Sequence, residues 1–175
     1  MKKENAVNKK FTKGFTLLEL LVVVLIIGIL AAVAVPQYKM AVGKAQFSTL
    51  KNITRSLTES AQRYYLANNI YPRKVADLDI DFNITKEYQK HYGLQIITSD
   101  GIDCTVWDEN NQNYVACGKK IFGETIMFYM KRDERIPAIC IAFSTDKNDA
   151  VNRLCQKETG RTGHFINSSY YSYYY

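Results

Sequence analysis

The chain has 175 residues, enough for one domain with a core of its own and too few for two of ordinary size. Its 47% hydrophobic, 13% aromatic and 23% charged residues exclude a disordered or collagen-like polymer. The net charge of +6 belongs to the N-terminal third: residues 1–14 carry +4, 15–35 carry −1, 36–66 carry +4 and 67–175 carry −1. No basic patch is visible past Leu66, which argues against a nucleic-acid partner.

In chain order, the first element is a short basic segment, with Lys2, Lys3, Lys9, Lys10 and Lys13 against Glu4. Residues 15–35 follow, and 18 of these 21 are apolar, the exceptions being Thr16, Glu19 and Gly28. As a helix rising about 1.5 Å per residue, this run spans roughly 31 Å, the thickness of a bilayer's hydrocarbon core. A soluble core seldom uses a helix that is apolar on every side, so a membrane is the environment this segment predicts. One competing reading is a secretory signal released after Ala34, since Ala32-Val33-Ala34 is an A-x-A-like site and the product would be a soluble exported binding module. Against it, the apolar run exceeds the usual ~7–15 residues of a signal's apolar region. Glu19 also lies inside the run, where an ionisable group costs about 2.5–3.5 kcal/mol at mid-bilayer and marks function. Charge bias leaves the orientation open, because Lys39, Lys44, Lys51 and Arg55 follow the run closely.

The string Lys13-Gly14-Phe15-Thr16-Leu17-Leu18-Glu19, with the apolar run ending at Pro36, resembles the N-terminus of type IV prepilins and of the pseudopilins of type II secretion systems. The close match covers about residues 9–46, and beyond it the likeness is one of layout. The resemblance implies a leader peptide at 1–14, cut between Gly14 and Phe15 by a prepilin peptidase that also methylates the new Phe15 amine. It implies that 15–35 is kept as a membrane anchor and later as filament core. Glu19 is then an assembly residue, offering a carboxylate to the amine of a neighbouring subunit. An amine at the tip of an apolar helix is costly to bury unpaired, and Glu19 one turn along supplies the opposite charge. The implied partners are copies of the chain and other pilins, the peptidase and methyltransferase, the inner-membrane pilus or secretion assembly machinery, and the lipid bilayer before assembly. The implied location is a single pass of the bacterial inner membrane with the head outside the cytoplasm, then a surface or periplasmic filament. Such a protein is a structural subunit and not an enzyme, and it implies no cofactor.

Pro36 lacks a backbone donor and predicts a helix kink. Beyond it the pattern becomes amphipathic, with Val42, Leu50, Ile53, Leu57, Ala61 and Tyr64 on the face expected to lie on a sheet. The long helix is expected to cover 15–66 and to end between Leu66 and Asn69, where turn residues precede Pro72. A globular, β-rich head at 67–175 follows.

In the head, Asp77, Asp79 and Asp81 match three positions of a calcium loop. Phe82 replaces its glycine, however, and Tyr88 its closing glutamate, so solvated aspartates between inward-facing Leu78, Ile80 and Phe82 are the stronger reading. Strand character marks 94–98, 102–107, 113–117, 125–130 and 138–143, with turns at 108–112 and 131–135 and a strand edge or turn at Ile136-Pro137. One long helix followed by a meander is an α+β layout, the helix lying across an antiparallel sheet. Cys104, Cys117, Cys140 and Cys155 allow three pairings. The local ones, 104–117 and 140–155, are favoured because each closes a short loop, at roughly 3 kcal/mol apiece. The second resembles the bridge bounding the C-terminal loop of many pilins. Zinc is opposed by the absence of C-x-x-C spacing and by a supply of only His91 and His164. Tyr170-Tyr171-Ser172-Tyr173-Tyr174-Tyr175 reads as a final strand with tyrosines on both faces, against a sticky adhesive patch. The N-x-S/T triplets at Asn52, Asn83 and Asn167 read as chance, and no nucleophile–base pair or phosphate loop stands out. The N-terminal motif does not separate a pilin from a secretion pseudopilin; two disulfide loops and the tyrosine tail lean toward a surface-exposed pilin.

Overall fold

A computed structural model describes residues 14–109, 112–131, 138–166 and 169–175. The expected leader up to residue 13, residues 110–111 of one expected turn, 132–135 of the other, Ile136-Pro137 and the triplet at Asn167 lie outside the described residues. The chain divides into two compact units, Met1–Lys39 and Met40–Tyr175. The first helix, α1 (Leu17–Asn68), contributes residues to both.

In the first unit every large apolar side chain from Leu17 to Val35 is exposed. Among the described residues of the unit nothing covers them, and burying such side chains is worth about 1.5–3 kcal/mol each. The helix is long and apolar enough to cross a membrane. It continues past Pro36, whose missing N–H removes one bond from the helical ladder.

The second unit is an eight-stranded antiparallel sheet with helix packed on one face. Its strands are β1 (Ile84–Lys90), β2 (Gly93–Thr98), β3 (Asp103–Glu109), β4 (Gln112–Ile121), β5 (Glu124–Lys131), β6 (Ile139–Phe143), β7 (His164–Ile166) and β8 (Tyr170–Tyr174). Their spatial order is β1-β2-β3-β4-β5-β6-β8-β7, so six strands meander and the chain's last strand inserts between β6 and β7. Helix α2 (Ala150–Thr159) joins β6 to β7. It is capped at its start by Asp149, whose side chain accepts from the Ala150 N–H at 2.5 Å, and it ends at Gly160 in the left-handed conformation.

Within this unit the α1 residues Gly43, Phe47, Leu50, Thr54, Leu57, Ser60 and Ala61 are buried, a spacing of three and four that presents one helical stripe to the sheet. Phe47 meets Phe128 of β5 edge to face at 6.0 Å, and Leu94, Ile96, Val106 and Ile126 complete the layer. The stripe corrects the sequence reading at one point. Val42 is exposed, while Gly43 and Phe47 one turn on are covered. Gly43 lets the Phe122 ring of the β4–β5 turn approach the helix: a Cβ there would lie 2.1 Å from the ring, so the ring would have to shift.

Strands β1 and β7 have no counterpart in the sequence reading. β1 (ITKEYQK) is exposed along nearly its whole length and held mainly by pairing to β2, so no buried face imposes an alternating pattern. β7 has three residues, too few for periodicity to register.

Candidate functional site

Three constellations carry the chemistry. The first is the start of α1. Gly14 and Phe15 precede the helix, and both are exposed; apart from its chain neighbours, no described residue comes within 4 Å of where a Gly14 Cβ would be. Thr16 occupies the capping position: the Leu20 N–H donates to its carbonyl, and the Glu19 N–H donates to its Oγ1 at 3.2 Å. In return the Thr16 N–H donates to Glu19 Oε2 at 2.9 Å and the Thr16 hydroxyl to the same oxygen at 2.7 Å. This is a capping box, T-x-x-E, in which threonine and glutamate satisfy each other's end of the helix. The sequence reading gave Glu19 no intramolecular partner, although Thr16-x-x-Glu19 ahead of an apolar run is the signature of that box. The acid also lies in the first turn, where the helix dipole favours negative charge.

The second constellation fixes the region between α1 and β1. Arg63 donates from Nε and Nη2 to both oxygens of Asp79, at 2.6 and 2.7 Å, and Ser60 Oγ accepts from the Asp79 N–H. Hydrogen bonds from Arg63, then from Ser60, hold the Asp79 carboxyl well below the usual range. Asp77 accepts from the N–H groups of Arg73 and Lys74. Asp77 and Asp79 are thus committed to arginine and backbone donors, and no group of three metal-ligating side chains occurs among the described residues. Leu78 is buried and Ile80 and Phe82 pack half-buried against the core, with Asp79 and Asp81 exposed between them. Arg73 reaches further, donating to the His91 carbonyl at 3.0 Å and to Asp108 at 3.2 Å.

The third constellation surrounds the C-terminus. Disulfides join Cys104 to Cys117, directly opposite on β3 and β4, and Cys140 of β6 to Cys155 of α2. All four cysteines are fully buried. Glu158 at the end of α2 binds Lys51 at 2.5 Å and Lys44 at 3.3 Å, both on α1. Burial pushes the Glu158 carboxyl up, but the two ammonium groups outweigh it and leave it below the usual range. The tyrosine run forms β8, with Tyr171 and Tyr173 directed to the helix side. The Tyr173 hydroxyl donates to Asn152 Oδ1 at 2.9 Å, and Asn152 in turn donates to the Asp146 carbonyl. Burial raises the Tyr173 phenol to about 12, so it remains a donor throughout the ordinary pH range.

Comparison with known proteins bears on the first constellation directly. The family model described as a prokaryotic N-terminal methylation motif matches residues 9–35. A type IV major pilin protein of Neisseria gonorrhoeae is 30% identical over 109 residues, 62% of this chain and 64% of that protein. This chain thus covers less than two thirds of the gonococcal protein's length. A type IV major fimbrial protein of Dichelobacter nodosus is 52% identical over 46 residues, 26% of this chain and 30% of its own. A fimbrial protein of Moraxella nonliquefaciens is 35% identical over 143 residues, 79% of this chain and 90% of that protein. With a methylation motif at its start, a long apolar helix and an antiparallel sheet, and a relative matched over nearly its full length, the chain belongs to the type IV pilin family.

Proposed function

We propose that this protein is the structural subunit of a type IV pilus-like filament, a substrate of processing enzymes and not an enzyme itself. The observation that carries the reading is the capped, fully exposed apolar segment 15–35 lying within the methylation motif. Cleavage after Gly14 removes the leader's +4 and leaves a mature charge of +2. The peptidase then methylates the Phe15 amine, which keeps its positive charge. The chain rests in the inner membrane through 15–35 with its head outside the cytoplasm, and assembly machinery transfers that segment from lipid to filament core. There Glu19 pairs with the amine of a neighbouring subunit, and the helix loosens or bends at Pro36, where the backbone ladder is already incomplete.

The relatives' names favour a pilus over a secretion pseudopilus. The test is to shear cells and look for the chain in surface filaments by immunogold electron microscopy. Labelled filaments support the reading; a chain confined to membrane and soluble fractions, in cells that make pili of another subunit, refutes it.

A further inference from the structure

We propose that the face of the head sheet turned away from α1 carries a binding site for an acidic saccharide. The core residues of the sheet all lie on the helix side, yet Ala116 and Gly118 of β4 are buried without joining that core. They therefore face outward and form a floor beneath their own neighbours. The register sets Asp103, Gly118 and Met127 in one row across β3, β4 and β5, and Thr105, Ala116 and Tyr129 in the next. Because residue 118 has no side chain, a hollow of about 270 Å³ opens over this row. A Cβ there would come within 2.9 Å of Met127 Cγ. The volume sits at the small end of ligand cavities, suited to a compact ligand.

The lining is chemically mixed in a way that selects the ligand. Asp103, Thr105 and Thr125 supply acceptors and hydroxyls, and Asp103 is held in place by the Gln95 amide, which donates to both its oxygens at 3.0 Å. Lys120, which shares the outward face with Gly118 and stands opposite Thr125, brings positive charge and forms no ion pair among the described residues. Met127 gives an apolar floor. Beside it stands Tyr129, the last ring of a stack in which Tyr92 lies 4.0 Å from Trp107, Trp107 5.4 Å from Tyr114, and Tyr114 4.4 Å from Tyr129. Tyr114 covers one face of Tyr129, and no further ring contacts it among the described residues.

A sugar ring bearing a carboxylate answers each of these groups: its hydroxyls bind Asp103 and the threonines, its carboxylate the Lys120 ammonium, and its C–H face Met127 and Tyr129. A neutral sugar leaves Lys120 unmatched. A bare sulfate or phosphate has no hydroxyl donors for Asp103 and no C–H face for the apolar floor.

The test titrates the full chain in detergent micelles with oligogalacturonate, followed by backbone amide NMR, with maltooligosaccharide and sulfate as comparisons. Oligogalacturonate is expected to shift the amides of Gly101, Gly118 and Thr125 at millimolar concentration or below, with maltooligosaccharide much weaker. Lys120→Ala is expected to weaken it about tenfold or more, the loss of one charge-assisted contact. Lys120 is exposed and unpaired among the described residues, so this variant folds; Thr125→Val, removing one hydroxyl, provides a second check. The proposal is overturned if oligogalacturonate produces no shifts there, if sulfate produces the same shifts at equal charge, if Lys120→Ala binds unchanged, or if the shifts track self-association of the chain.

Discussion

The Glu19 carboxylate accepts two hydrogen bonds from Thr16, one from its backbone N–H at 2.9 Å and one from its hydroxyl at 2.7 Å. In a single chain, then, the one acid of the apolar segment is already engaged, and in the proposed filament a neighbour's amine would compete with or share that engagement. The cap and the proposed assembly role separate by substitution. Thr16→Ala removes the cap alone and should weaken the first turn by about 1 kcal/mol while leaving filaments abundant. Glu19→Gln keeps an acceptor for Thr16 but loses the charge, and sheared filament yield should collapse. A normal yield from Glu19→Gln would reduce Glu19 to a helix cap.

Gly43 and Phe122 form a second dependence. Gly→Ala in a helix gains about 1 kcal/mol of propensity, yet at this position the added Cβ meets the Phe122 ring at 2.1 Å. The collision outweighs the gain, so Gly43→Ala should lower stability by about 1–3 kcal/mol net in thermal or denaturant unfolding. Adding Phe122→Ala should leave the glycine replacement neutral or favourable, a coupling read by a double-mutant cycle.

The disulfide between Cys140 and Cys155 closes 15 residues and ties α2 to the sheet. Replacing both by serine should cost about 3 kcal/mol and speed amide exchange across α2 while leaving β2–β4 protected. The Cys104–Cys117 pair joins directly opposed residues of neighbouring strands, so its removal should cost stability without freeing a separate element.

The Glu158 cluster makes stability depend on pH. Lys51 and Lys44 together lower the carboxyl's folded value against the opposing effect of burial, so the group releases its proton more readily folded than unfolded. The stability it confers is therefore present above the ordinary glutamate value near 4.5 and is lost as pH falls through the lower folded value. Wild type should melt above Glu158→Gln at pH 7, and the gap should shrink as the pH falls below 4.5 and through the lower folded value. A gap independent of pH would mean that Glu158 acts through packing alone.

The long helix, its break in character near Pro36 and the five central strands were legible because periodicity switches cleanly from all-apolar to 3.6 and then to strand-like runs. Leu78, Ile80 and Phe82 showed their inward alternation for the same reason. β1 was not legible, since a polar edge strand is specified by its neighbour's backbone and not by its own pattern. The close approach at Gly43 is to Phe122, 79 residues away in the chain, a contact that no local pattern encodes. Gly14, Phe15 and Glu19, the proposed processing and assembly residues, stand out by their spacing within the stretch that the methylation-motif family model matches. Thr16 escapes a periodicity argument because a polar residue inside an apolar run reads as an exception to the run and not as the start of a helix.

The central claim is that the chain is cut before its apolar segment and keeps that segment for assembly. Intact mass with N-terminal sequencing of the chain recovered from membranes and sheared filaments tests it most directly. The account predicts one mature species beginning with N-methylated Phe15, with 15–35 intact. A soluble chain beginning at Val35, or a membrane form that retains residues 1–14 in assembled filaments, would contradict it.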